Sequence, residues 1–486
     1  MRKSKNYALI LGILLSAGCL SSCGGSSVRV QPGEKIWTDK IFYDSSLETP
    51  EQVSVRLESD SKVESIRISM HTYTKGFGFK NNVLTLSSEI MGEQYVSDST
   101  DDQMIVSFKD GSTKRVPIMI CTKIITTAEE FQAINDDLDG VYALGNDIDL
   151  SSIDNFEPLG YFFDSETNVD NHYFHGILEG NGYTVKNANV LWSSSKKGYS
   201  SSDGFYVWDS VDVYNDGSLF ESEAHTAGNN IGLFQIIGSA GVVRNVNFSN
   251  IRVRGRTIVG VIAGNNSGTI ENCKVLSDCA VEGGTHFYDN DCNIAGVVGI
   301  NAASGTIVNT VSYVSDISFP DVFIDYSDEY KGQIGNGWDH TASPGNTDPS
   351  WKYANVDRPL MQYGVDGSIT DTGKKESDSN GSLSNGIYAF VGKNWGTVTS
   401  SYAKAFNLTP YEGSSREVQF GQTHLGAVKP GSGESDMGDF SSCAVYSESD
   451  LKSAALYASY DTTCWNIAEG NEPTLKCPVY GFETAE

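Results

Sequence analysis

The chain has 486 residues, and its 62 Asp and Glu against 34 Lys and Arg leave a formal charge of −28. With no basic block in so acidic a chain, nucleic acid is excluded as a partner, because phosphate binding needs clustered Lys and Arg to release counterions. A hydrophobic share of 39% with 11% aromatic excludes a disordered chain, and 50 Gly without a collagen-like period imply many tight turns.

Residues 1–22 have the three parts of an export signal: basic Arg2, Lys3 and Lys5, an apolar run from Tyr7 to Leu15, then small residues. The run is shorter than the ~20 residues that span a bilayer, so cleavage is expected rather than retention as a helix. Leu20-Ser21-Ser22-Cys23 resembles the bacterial lipobox, which implies lipidation of Cys23 and a membrane anchor at the cell surface. Cys19 fits less well, with Ser16 three positions before it. Residues 23–27 then form a Gly/Ser tether. Seven cysteines follow (Cys121, Cys273, Cys279, Cys292, Cys443, Cys464 and Cys477), an odd number whose connectivity spacing does not define.

Over residues 28–123 short alternating runs (Val53 to Leu57, Val63 to Ile68, Val83 to Leu86, Met104 to Phe108, Val116 to Ile120) are separated by turn residues. Period-two alternation with an Asp110-Gly111 turn predicts a small antiparallel sandwich, immunoglobulin-like, acting as a spacer. At Thr126-Thr127-Ala128-Glu129-Glu130-Phe131 a capping box opens a short helix, with Phe131, Ile134 and Leu138 on one face and a stop at Asp139-Gly140.

From residue 124 to 486 self-similarity dominates. Ile231-Gly232-Leu233-Phe234, Val259-Gly260-Val261-Ile262-Ala263-Gly264-Asn265-Asn266 and Ala295-Gly296-Val297-Val298-Gly299-Ile300-Asn301 are each followed by a second short strand. A frayed fourth copy, Tyr388-Ala389-Phe390-Val391, has Ala389 in the glycine position. A unit this short cannot bury its own apolar face, so equivalent strands must stack and form a continuous inner column. The segments around Gly260 to Cys273 and Gly296 to Thr310 resemble the GLUG repeat of bacterial surface proteins. The resemblance implies a right-handed parallel β-helix, which together with the sandwich makes an all-β chain with short capping helices and long loop inserts. It extends over residues 124–480, from opening coils near Tyr142 to Val185 to a helical stretch at Asp450 to Tyr457, and implies a surface solenoid of the kind found on adhesins and large secreted proteases, in itself without an established activity.

A β-helix also suits polysaccharide lyases and glycoside hydrolases, which need paired carboxylates, or carboxylates with a basic group, across one sugar. Asp147 and Asp149 alternate on one strand, but solvation explains them as simply as catalysis does, and no catalytic residue is assigned. Arg252, Arg254 and Arg256 alternate and can bind a glycan carboxylate or sulfate, or pair with neighbouring acids. No zinc-protease, nucleophile-elbow or phosphate-loop motif occurs. His172 and His175 stand three apart in a loop rather than on a helix face as a zinc pair would, and Asp289-Asn290-Asp291 offers hard oxygen donors for a structural calcium, though a polar loop explains it as well. No cofactor or metal is assigned.

The long inserts are the stronger functional candidates. Trp192, Tyr206 and Trp208 lie in one and Trp338 and Trp351 in another, among Ser, Asp and Gly, the mixture that sugar and protein recognition uses. The expectation is a lipid-anchored surface protein that presents loops of a β-helix to an extracellular glycan or protein. A polysaccharide-active enzyme and a structural component of a surface assembly are the alternatives.

Overall fold

The computed structural model describes residues 28–31, 33–154, 156–160, 173–191, 230–255, 258–282, 293–318, 359–363, 369–375, 386–411, 414–417, 419–423, 438–477 and 479–482. The front part consists of two five-stranded sheets. One orders its strands Val479–Phe482, Lys35–Trp37, Val53–Arg56, Val83–Leu86 and Phe77–Lys80; the other orders Ile41–Asp44, Thr113–Cys121, Gln103–Phe108, Val63–Ile68 and His71–Tyr73. Alternation puts Val55, Leu84 and Leu86 of the first sheet against Ile41, Ile66, Met104 and Val106 of the second, all buried in one core. The Asp110-Gly111 turn forms as expected: Gly111 takes φ 84° and the Asp110 carboxylate accepts from the Ser112 N–H at 2.9 Å. Asn81 and Asn82 make the neighbouring hairpin turn, both left-handed at φ 52° and 61°.

A short helix, Ser88–Gly92, joins the front part; its cap is Ser87, whose hydroxyl accepts from the Ile90 N–H. The helix expected near residue 126 is shorter than its periodicity suggests. Ala128–Gln132 is α-helical, capped by Thr127, and tightens into a 3-10 turn at Ala133–Asp136, so it stops ahead of Asp139-Gly140. The Glu130 carboxylate accepts from the Thr126 N–H at 2.8 Å, one position earlier than a strict capping box. The stretch from Asp450 to Tyr457 is likewise two 3-10 turns rather than an α-helix.

Beyond residue 122 the chain winds as a parallel solenoid of four sheets. Sheet I stacks Lys123–Ile125, Val141–Leu144, Ile177–Glu179, Val242–Arg244, Thr269–Glu271, Thr306–Val308, Thr397–Thr399 and Asp439–Ser441; sheet II has seven strands from Ile148–Asp149 to Ala444–Tyr446. Sheet III has four, Asn189–Leu191, Arg252–Arg254, Ala280–Glu282 and Asp316–Ser318. Sheet IV holds the glycine motif, from Asn230–Ile231 to Gln419–Thr423. The coils from Asn230–Ile231 to Asp316–Ser318 visit sheets IV, I, II and III in that order. The inner column of sheet I pairs Leu178, Val243, Ile270, Ile307, Val398 and Phe440 in register. These side chains continue the interior core from rung to rung, which is how units too short to fold alone become stable together.

Corner chemistry follows the repeat. Just after the last five sheet I strands, Asn245, Asn272, Asn309, Ser400 and Ser442 hold φ between 48° and 56°, a conformation most L-residues avoid and asparagine tolerates. At the other end of sheet IV, buried Asn266, Asn301 and Asn394 form a ladder, each Nδ2 donating to the next Oδ1 at 2.8 Å. In the first three copies the motif glycine sits at a break between two short strands; a Cβ on Gly260 would lie 2.6 Å from the carbonyl oxygens of Ala263 and Val297. In the fourth copy, Gly386–Asn394 runs through as one strand. The bend is gone, which accounts for Ala389. Despite the interruption after residue 318, the array resumes in register, Thr306 opposite Thr397 and Ile307 opposite Val398.

The front part is fused to the solenoid. Outward-facing Val141, Ala143 and Ile177 of sheet I belong to the front core, so the two hydrophobic interiors share a wall. After the last rung the chain does not stop there but returns along the outside of sheet II as a strap. Tyr457, Tyr460 and Trp465 pack on Tyr402 and Val311, the Trp465 Nε1 donates to Asn272 at 3.0 Å, and Val479–Phe482 pairs antiparallel with Lys35–Trp37. Nothing in the local sequence pattern anticipates this return.

Candidate functional site

Two regions are built by this stacking. The first is one corner of the solenoid, between sheets III and IV. Four rungs cross from the end of sheet III to the start of sheet IV, and one does so with residues 255–257 alone, between Arg252–Arg254 and Ile258–Val259. At the same corner the other rungs cross through residues 192–229, 283–292 and 319–385, since those connections join Leu191 to Asn230, Glu282 to Asn293 and Ser318 to Gly386. The long connections are therefore not demanded by coil geometry. They start and finish on stacked strands along one edge.

Trp192, Tyr206 and Trp208 belong to the first of these connections and Trp338 and Trp351 to the third; all five lie outside the described residues, as do Cys23, Arg256, His172 and Asp289-Asn290-Asp291. Arg252 is exposed on sheet III beside this corner, in register with Asn189 and Ala280, with Asp316 one rung further. Arg254 lies in the same strand, in register with Leu191 and Glu282. The sheet thus sets acidic positions on rungs next to the arginines. Asp147 and Asp149 tie coils together: Asp147 accepts from the Thr184 N–H at 2.9 Å, and Asp149 accepts from the Ser151 N–H at 3.0 Å and from Asn187 at 2.9 Å. Those bonds hold the Asp149 carboxyl below its ordinary value.

The second region is a cleft of about 480 Å³ where the front part, sheet I and the strap meet, lined among others by Lys40, Glu179, Arg244, Glu271, Asp461 and Lys476. Glu179, Arg244 and Glu271 occupy one outward column on consecutive rungs. Glu179 is only 2% exposed. Its carboxylate accepts from Arg244 Nε at 2.8 Å, Asn245 Nδ2 at 2.8 Å and the Asn181 N–H at 3.1 Å, with Lys40 Nζ at 3.6 Å. Burial pushes its pKa up, but Arg244 first and Lys40 second outweigh that and hold the carboxyl below the usual range. Lys40 shifts the other way from what an ion pair alone produces. Its burial and the like charge of Arg244 lower its pKa, against the pull of Glu179. One carboxylate facing two cations can neutralise only one, and the 2.8 Å contact makes Arg244 the partner that matters.

A carboxylate so fully occupied is a clasp between domains rather than an acid or base. Sequence reasoning missed it. The signal was the charged residue directly after the inner apolar one at equivalent repeat positions, Val243-Arg244 and Ile270-Glu271; Lys40 gives no such signal, because its role depends on the docking of a distant strand.

Among the described residues no group of three or more His, Cys, Asp and Glu is placed to hold a metal, and no helix is long and apolar enough to cross a membrane. Cys121, Cys273, Cys279, Cys443, Cys464 and Cys477 are free thiols, while Cys292 lies outside the described residues. Burial pushes Cys273 and Cys279 up to about 12 and Cys443 up to about 11, so none of these three is a ready nucleophile.

No family model and no solved structure matches the chain. Among curated proteins it is similar to Halomucin of Haloquadratum walsbyi (strain DSM 16790 / HBSQ001), with 22% identity over 246 residues. That match covers 51% of this chain and about 2% of the length of Halomucin.

Proposed function

We propose that the protein is a lipid-anchored, cell-surface recognition protein of the GLUG type, in which a β-helix presents loops to an extracellular glycan or protein. The observation that carries this reading is the shared exit of residues 192–229, 283–292 and 319–385 at one corner that residues 255–257 cross unaided. Rungs spaced by about 4.8 Å hold the ends of these loops in a fixed row, and loops on a rigid scaffold are where binding residues concentrate. The aromatic residues of two of the loop sequences, and Arg252 exposed on sheet III, suit a sugar or a protein surface.

The test replaces residues 192–229, and separately 319–385, by a link copied from residues 255–257. Each variant is expected to keep its fold, read by far-UV circular dichroism and thermal unfolding, and to lose binding on a glycan array and in a panel of extracellular matrix proteins. Unchanged binding by both variants refutes the reading.

The junction cleft supports a second reading, an enzyme acting on polysaccharides, because Glu271 and Asp461 line it together with Lys476. Release of unsaturated or reducing ends from uronic-acid polymers, lost on Glu271→Gln, is the result that favours it.

A further inference from the structure

The front sheet that contains His71–Tyr73 ends on that strand, and among the described residues nothing pairs with its outer edge. At the His71 end of that strand opens a groove of about 280 Å³, which runs inward past the hairpin tip to Gln103, Ile118 and Ile120. The described large hydrophobic side chains that stand exposed, Met70 at 92%, Tyr95 at 85% and Val96 at 42%, all line this groove. Met70 occupies the hairpin tip that leads into the edge strand. Tyr95 and Val96 follow the short helix Ser88–Gly92, and Gln94 pins that segment to the sheet by donating to the Tyr73 hydroxyl at 3.0 Å. An open edge next to exposed apolar side chains is the arrangement that adds a strand from another chain: the backbone supplies pairing and the flanking pockets take alternate side chains.

Charge selects the occupant. Glu93, Asp98 and Asp102 line the groove, and no Lys or Arg does. A second copy of a chain with net charge −28 would bring like charge to like. We infer that this edge binds an extended segment of another protein in which basic and apolar residues alternate, the apolar ones seated against Met70 and Tyr95 and the basic ones facing the acidic rim. This site lies on the front domain and is independent of the loop corner.

The experiment uses the whole chain and an acetylated, amidated octapeptide of alternating Lys and Leu, followed by fluorescence anisotropy and backbone hydrogen exchange. The expected result is binding that slows exchange at His71–Tyr73, weakens at least tenfold in the exposed double variant Met70→Ser/Tyr95→Ser, and weakens at least tenfold for a Glu-Leu peptide. Thermal unfolding of the double variant should match the parent, since both side chains are exposed. Absence of binding, binding without protection of the edge strand, or equal affinity for the double variant overturns the inference. Protection that grows with protein concentration alone identifies a second copy as the occupant and overturns it as well.

Discussion

Replacing Glu179 by Ala tests how the two parts of the molecule are held together. The carboxylate is 2% exposed and carries three hydrogen bonds and a second cation. Its removal leaves Arg244, which also donates to the Thr100 carbonyl at 3.4 Å, beside Lys40 without the carboxylate that bonds it at 2.8 Å. Breaking a buried pair by removing one partner costs about 3–5 kcal/mol, far more than the pair itself contributes relative to an apolar replacement. Glu179→Ala is therefore expected to lower stability by that amount in urea titration followed by tryptophan fluorescence. Lys40→Met should cost under about 1 kcal/mol, because burial already outweighs pairing for that lysine and a methionine keeps the apolar stem. The pH dependence carries a definite sign. Glu179 has a folded pKa depressed below its ordinary 4.5, so its contribution is fully present above that value and is lost as pH falls through the folded one. The parent should lose stability below about pH 4.5 more steeply than Glu179→Gln. A loss under about 1 kcal/mol for Glu179→Ala, or identical acid limbs for parent and Glu179→Gln, refutes the clasp.

Asn301→Ala removes the middle of the buried ladder and orphans amide groups of both Asn266 and Asn394; at about 1–3 kcal/mol per orphaned buried group, thermal unfolding should fall well below that of the exposed control Asn471→Ala. Gly260→Ala forces a Cβ within 2.6 Å of two backbone oxygens and should cost about 1–3 kcal/mol, whereas Ala389→Gly in the unbroken strand should cost about 0.5–1 kcal/mol, both read as shifts in urea midpoint. Trp465→Ala deletes the strap's anchor and its bond to Asn272; a loss of about 3–5 kcal/mol and new proteolytic cleavage between residues 446 and 479 are expected, and an unchanged digest pattern would count against the strap.

The solenoid was legible because its determinants are local. A strand of two to four residues, an inner Val or Ile, a corner Asn and a glycine at a bend recur in the best-kept copies, and stacking converts that recurrence into sheets whose register the repeats already specify. The front strands were legible for the same reason, since alternation and turn residues act within a few positions, but Lys35–Trp37 with Val53–Arg56 and Ile41–Asp44 with Thr113–Cys121 pair parallel, so the sheets are mixed rather than antiparallel. Helix ends near residues 136 and 457 were less legible, since a weak periodic stretch against a β wall tightens into 3-10 turns as its packing requires.

Other features depend on pairs far apart in the chain. Lys40 meets Glu179, Trp465 meets Asn272 and Val479–Phe482 meets Lys35–Trp37 only after the coils have stacked and the strap has returned along sheet II. The single edge shared by the long connections is of the same kind. Sequence marks where the inserts interrupt the repeats, and their alignment arises because successive coils place the same step of the winding at the same corner. By itself the sequence determined the inner column, the corners and the acidic surface, all set by residues within one repeat. Tertiary structure decided the clasp, the strap, the open front edge and the row of loop exits, because each is a relation between rungs or domains and has no period in the chain.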